Sequence, residues 1–91
     1  MPEMVVDTCD YVADGDTFST EKGVWIRLAR VQAPEEGEVG YYTAKKLLSD
    51  LILNKLIVYE QVGTSYHRIV AEVWHDGENI NDIMIGAGYK E

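Results

Sequence analysis

Basic residues are scarce in this sequence. Eight lysines and arginines stand against sixteen aspartates and glutamates, giving a formal net charge of −8 at pH 7. Sequence-independent attachment to a nucleic-acid backbone is driven by neutralising phosphates, so this chain has the means for it only at a local site. Cysteine is rarer still. Cys9 stands alone, which rules out an intramolecular disulfide, calls for no oxidising compartment, and leaves the thiol to be read as a small buried hydrophobe. No apolar run approaches the roughly 18 residues a membrane-spanning helix needs. The first residues, MPEMVVDTCDY, have neither a basic n-region nor a long apolar h-region, so they are no secretory signal. The expectation is a cytoplasmic protein without a membrane partner. Repeats, low-complexity tracts and linkers are also missing, and 91 residues fit a single domain spanning 1–91.

What is present is a set of short apolar runs separated by turn signals. Met4 to Ala13 is β-like, Asp14-Gly15-Asp16 is a turn, and Thr17 to Thr20 is a short run ended by Glu21-Lys22-Gly23. VWIRLARV, Val24 to Val31, reads as a strand with Ile26 and Leu28 on one face and Arg27 on the other. Pro34 cannot enter a central strand, so that strand should end near Gln32. Tyr41, Ala44, Leu48 and Leu51 recur at spacings of three and four, which predicts an amphipathic helix ending near Asn54-Lys55. Leu56 to Val62 and Ile69 to His75 are two further strands around a loop from Gly63 to His67, Asp76-Gly77 is a hairpin turn, and Asn79 to Ala87 is a short helix. One helix cannot cover both faces of five short strands, so the sheet must curl. The order predicts a mainly β, five-stranded Greek-key barrel of the OB type, with a helix between strands three and four and a short C-terminal helix.

The polar residues at the strand ends have ordinary readings one at a time. A DGD turn is common. Arg27 could pair with Glu35 across the barrel wall, and Arg68 could bond loop carbonyls. His67 and His75 are too far apart for a zinc pair and no cysteine joins them. Trp25 and Trp74 read as core or barrel wall, Lys45 and Lys46 as a solvated helix face, and Tyr66, just before Arg68, as the better platform for stacking a base.

Taken in order, DGDT (Asp14 to Thr17), IRL (Ile26 to Leu28), APE (Ala33 to Glu35), YHR (Tyr66 to Arg68), the Asp76-Gly77 turn, Asn81 and Gly88-Tyr89 resemble the staphylococcal-nuclease-like (thermonuclease) family from about Tyr11 to Tyr89. The resemblance implies an OB barrel that hydrolyses DNA and RNA phosphodiesters with Ca²⁺, and single-stranded DNA or RNA as substrate or ligand. Carried over by position, Asp16 is a metal ligand and Asp14 an outer carboxylate. Arg27 and Arg68 grip the scissile phosphate. Glu35 orients or deprotonates the attacking water, and Ala33 offers the metal only its backbone carbonyl. Each role suits its residue: carboxylate and carbonyl oxygens hold a hard cation, bidentate arginine matches a phosphate, and a carboxylate handles water.

Three positions depart from the family pattern. Gln32 stands where an aspartate usually provides a second metal ligand. A glutamine oxygen can ligate calcium but carries no charge, so weak Ca²⁺ binding is expected, with Glu36 and Glu38 near enough in sequence to compensate. His67 replaces a common glycine, a minor change because histidine tolerates unusual turn dihedrals. Family members commonly continue beyond Gly-Tyr, so contacts from that segment are expected to be absent or supplied by a protein partner. Two functions follow: a calcium-dependent nuclease attenuated at Gln32, or a catalytically degenerate OB module binding short nucleic acid or a protein.

Overall fold

The computed structural model describes residues 3–91. Its elements are β1 (Met4–Asp14), β2 (Thr17–Thr20), β3 (Trp25–Leu28), α1 (Tyr41–Ile52), β4 (Leu56–Ser65), β5 (Arg68–His75), β6 (Glu78–Asn79) and α2 (Ile80–Gly86). The strands lie in the order β3-β2-β1-β4-β5-β6, and β3 also pairs with β5. That extra pairing, parallel and three residue pairs long (Ile26 with Ile69, Arg27 with Val70, Leu28 with Ala71), closes β1 to β5 into a ring. The result is the OB-like α+β barrel anticipated from the element order, with the two-residue β6 added outside the ring beside β5.

Alternation along each strand fills the ring. Cys9 and Val12 of β1, Phe18 of β2, Ile26 and Leu28 of β3, Ile57 and Tyr59 of β4, and Ala71 and Val73 of β5 point inward and are buried. From outside, α1 adds Tyr41, Ala44, Leu48 and Ile52 at spacings of three and four, and α2 adds Ile80 and Met84. Removing a buried leucine such as Leu48 would cost about 2–5 kcal/mol through lost transfer energy and the cavity left behind. Asn79 caps α2, its side chain accepting from the Asp82 N–H at 2.8 Å.

Several boundaries differ from the sequence expectation. The third strand ends at Leu28 rather than near Gln32, because Arg30 turns left-handed at φ 66°. That conformation is uncommon outside glycine. Here the guanidinium holds it, donating to Glu72 Oε2 at 2.9 Å, Glu72 Oε1 at 2.7 Å and Asp82 Oδ1 at 2.9 Å. The fourth strand runs on to Ser65, because Gly63 sits at a bulge in the β4–β5 ladder rather than opening a loop. The connection shrinks to Tyr66-His67, and Tyr66, not His67, takes the positive φ, at 57°. Trp25 is neither core nor covered wall: it is 43% exposed. The Asp76-Gly77 hairpin behaves as expected, with φ of 55° and 81°, the twist a two-residue hairpin favours.

Candidate active site

The turn between β1 and β2 begins the site. Asp14 Oδ1 accepts from the Asp16 N–H at 3.0 Å, which folds the two carboxylates over Gly15. Gly15 is obligatory for a steric reason: a Cβ there would lie 2.6 Å from the Ala44 Cβ of α1 and 2.7 Å from the Ala33 Cβ. Helix α1 and the 31–34 segment therefore press the turn into place. Tyr41 adds a bond from its hydroxyl to the Ala13 carbonyl at 2.7 Å.

Asp16 is the hub. Its side chain is buried among polar partners. Oδ1 accepts from the Thr17 hydroxyl at 2.9 Å and Oδ2 from the Ala33 N–H at 3.1 Å. Arg27 Nη2 lies 3.8 Å from Asp16 Oδ2 and donates to Gln32 Oε1 at 3.1 Å, while Nη1 donates to the Leu28 carbonyl at 3.2 Å. Arg68 comes from β5 and donates through Nη1 to the Thr17 hydroxyl at 3.0 Å. Asp14, Asp16, Arg27, Gln32, Ala33 and Arg68, scattered over 55 positions of sequence (14 to 68), are thus joined by one continuous set of polar contacts. Thr17 is the member that residue-by-residue reading passed over. It was visible only as the last letter of DGDT.

The remaining candidates stand apart from that set. Glu35 is exposed, and its residue is held through its main-chain N–H to the Glu38 carboxylate. The Arg27–Glu35 pairing considered from sequence does not form; Arg27 turns to Asp16 and Gln32 instead. Tyr66 is 94% exposed at the tip of the β4–β5 hairpin. A groove of about 600 Å³ runs along Gln32, Ala33, Pro34, Glu38, Val39, Gly88 and Tyr89, at the flank of the hub.

The electrostatics bear on a cation. Burial, and then the neighbouring Asp16 carboxyl, push the Asp14 carboxyl up to about 6. The donor set also fits a hard cation: a carboxylate oxygen from Asp16, the Gln32 amide oxygen and the Ala33 carbonyl, with Asp14 as an outer carboxylate bonded to the Asp16 N–H. Among the described residues no three His, Cys, Asp or Glu side chains converge, so a calcium ion here would need neutral oxygens to complete its shell.

The model of the staphylococcal nuclease homologue family matches residues 25–91. The chain belongs to that family. A Haemophilus influenzae protein named as an uncharacterized endonuclease is 35% identical over 89 residues, an alignment covering 90% of this chain and 50% of that protein. The chain thus spans about half the length of that relative. Within the staphylococcal nuclease homologues, the family match includes Arg27, Gln32, Ala33, Glu35 and Arg68 and begins after Asp14 and Asp16; those two residues enter the site through their contacts with Ala33, Arg27 and Thr17.

Proposed function

We propose that this staphylococcal nuclease homologue is a nuclease domain that cleaves phosphodiester bonds of nucleic acid. One observation carries the reading: Arg27 from β3 and Arg68 from β5 both reach the Asp16-Thr17 dipeptide, at 3.8 Å and 3.0 Å. Arg68 donates there to a neutral hydroxyl rather than to a carboxylate, which leaves its charge available to an anion that arrives from outside.

In this reading Arg27 and Arg68 hold the equatorial oxygens of the scissile phosphate, where planar bidentate donors follow the growing charge. Asp16, fixed by Thr17 and Ala33, keeps Arg27 oriented. Glu35, free in solvent, positions a water and takes its proton. Asp16, Gln32 and the Ala33 carbonyl, with Asp14 as an outer carboxylate, would hold a calcium ion, which when bound neutralises the phosphate and acts as a Lewis acid. Its affinity is weak because Gln32 is neutral and its oxygen already accepts from Arg27. Calcium-dependent release of nucleotides from DNA or RNA tests the proposal. Glu35→Gln and Arg68→Ala should each abolish it, and cleavage that survives both or that ignores a chelator rejects it.

The Arg27–Gln32 bond favours a second reading, a domain that binds nucleic acid or a protein and does not turn over. Gln32→Asp separates the two. New cleavage with a large gain in calcium affinity places the native chain on the inactive side, whereas an active wild type excludes that side.

A further inference from the structure

Two rows of side chains cross the outer face of β1, β2 and β3. In register, Asp14 pairs with Thr17 and Thr17 with Arg27, which is the row that builds the site. The neighbouring row is Tyr11, Ser19 and Trp25, paired in the same way. Ser19 follows Thr17 by two positions on β2 and Trp25 precedes Arg27 by two on β3, so the rows lie roughly 6.8 Å apart.

Tyr11 and Trp25 are 52% and 43% exposed, with ring centroids 6.1 Å apart and planes at 85°. Strand register turns them away from Phe18 and Ile26, which fill the core beneath. The edge-to-face contact fixes each ring against the other. Ser19 between them is small, and its hydroxyl donates to Asp10 at 3.0 Å.

We propose that Tyr11 and Trp25 form a stacking platform for an unpaired nucleobase of the same strand whose phosphate lies on Arg27 and Arg68. The inference rests on the nuclease reading and adds to it a subsite on the outer face of β1 and β3 for the base next to the cleaved bond. Continuity and charge identify the occupant. One nucleotide unit of an extended strand covers the separation between the rows. The guanidiniums take the anionic backbone on one row. On the other, Asp10 at the platform's edge repels phosphate, so the strand must offer a neutral, flat group there. A base locked in a duplex cannot present its face in this way, whereas an unpaired base can.

The test uses Trp25 fluorescence in a Glu35→Gln, Trp74→Phe protein, where Trp25 is the single tryptophan, with calcium present. Single-stranded oligothymidylate should quench it. An abasic oligonucleotide of equal length, and the Tyr11→Ala change, should each weaken binding about 10- to 100-fold, the scale of one base–aromatic stack. Duplex of the same length should bind as the abasic strand does. Equal quenching by abasic and base-bearing strands, or none by either, overturns the platform. Because the titration needs no turnover, it separates the two proposals. Base-dependent quenching in a protein whose wild type never cleaves leaves the platform standing and rejects the nuclease. Cleavage by a wild type whose Trp25 ignores bases does the reverse.

Discussion

Asn81 is fully buried and makes three hydrogen bonds that no other side chain of its size could make together. Nδ2 donates to the Ala29 carbonyl at 2.9 Å and the Ala71 carbonyl at 3.0 Å, and Oδ1 accepts from the Val73 N–H at 2.9 Å. Two acceptors and one donor on the backbone demand one amide in one orientation. It thereby bolts α2 to β5 and to the turn after β3. Asn81→Ala strands three buried backbone groups, each worth roughly 1–3 kcal/mol when unsatisfied. Allowing for relaxation and some water entry, the loss should be about 3–5 kcal/mol, a large share of the ~5–15 kcal/mol a domain has in total. Urea denaturation followed by fluorescence reads it directly. The midpoint should fall by more than ~1 M at an unchanged slope, and Tm by more than about 12 °C, at ~4–8 °C per kcal/mol for a domain of this size. A loss below ~1 kcal/mol would refute the reasoning, because the three bonds would then be replaceable by solvent. Asn81→Asp keeps the acceptor, loses both donors and buries a charge, so it should be no milder.

Other outcomes follow from the same contacts. Gly15→Ala should cost about 1–3 kcal/mol by overpacking against Ala44 and Ala33, and the displaced turn should lower calcium affinity, read by titration, beyond what the stability loss explains. Asp7 is buried in β1 with Oδ2 unpartnered among the described residues. Asp7→Asn, which removes a buried charge and keeps an acceptor for the Thr8 N–H, should therefore stabilise the fold by roughly 1 kcal/mol in the same urea assay. Hydrogen bonds from Arg30 hold the Glu72 carboxyl below the ordinary glutamate range. A carboxyl lowered on folding adds stability that is whole above its unfolded value and fades as acid protonates it. The stability difference between wild type and Glu72→Gln should accordingly shrink as the pH falls below that range. Burial pushes the Cys9 thiol up to about 11, so alkylation near neutral pH should be negligible in the native protein and appear only on unfolding.

The order of the elements was legible because turn residues and hydrophobic period are local signals. Asp76-Gly77 places a turn, and the three-and-four spacing of Tyr41, Ala44 and Leu48 a helix face, by themselves. The end of β3 was not legible. VWIRLARV alternates on paper, yet Leu28 and Ala29 are both buried and Arg30 turns left-handed. Its partners, Glu72 and Asp82, lie 42 and 52 residues onward, beyond any window. Gly63 misled for a related reason: a glycine that opens a loop and one that sits in a bulge read alike until the opposite strand is known. At the site, the gathering of Asp16, Arg27 and Arg68 was anticipated from the order of motifs. The outward turn of Trp25 was implicit in the alternation that put Arg27 on the face opposite Ile26 and Leu28, whereas the bond from Arg27 to Gln32 depends on the turn after β3, which the sequence does not state.

The ring is shut by only three residue pairs between β3 and β5, and the two arginines of the site stand on opposite sides of that seam, Arg27 on β3 and Arg68 on β5. A short parallel ladder joining chain segments so distant in sequence is a weak point for partial opening, since such regions part at lower free energy than the whole fold. Opening it would separate the arginines while the rest of the barrel stayed shut. Under the proposed function, anion capture is therefore tied to the closure of one joint, and a ligand that spans both arginines would in turn clamp that joint.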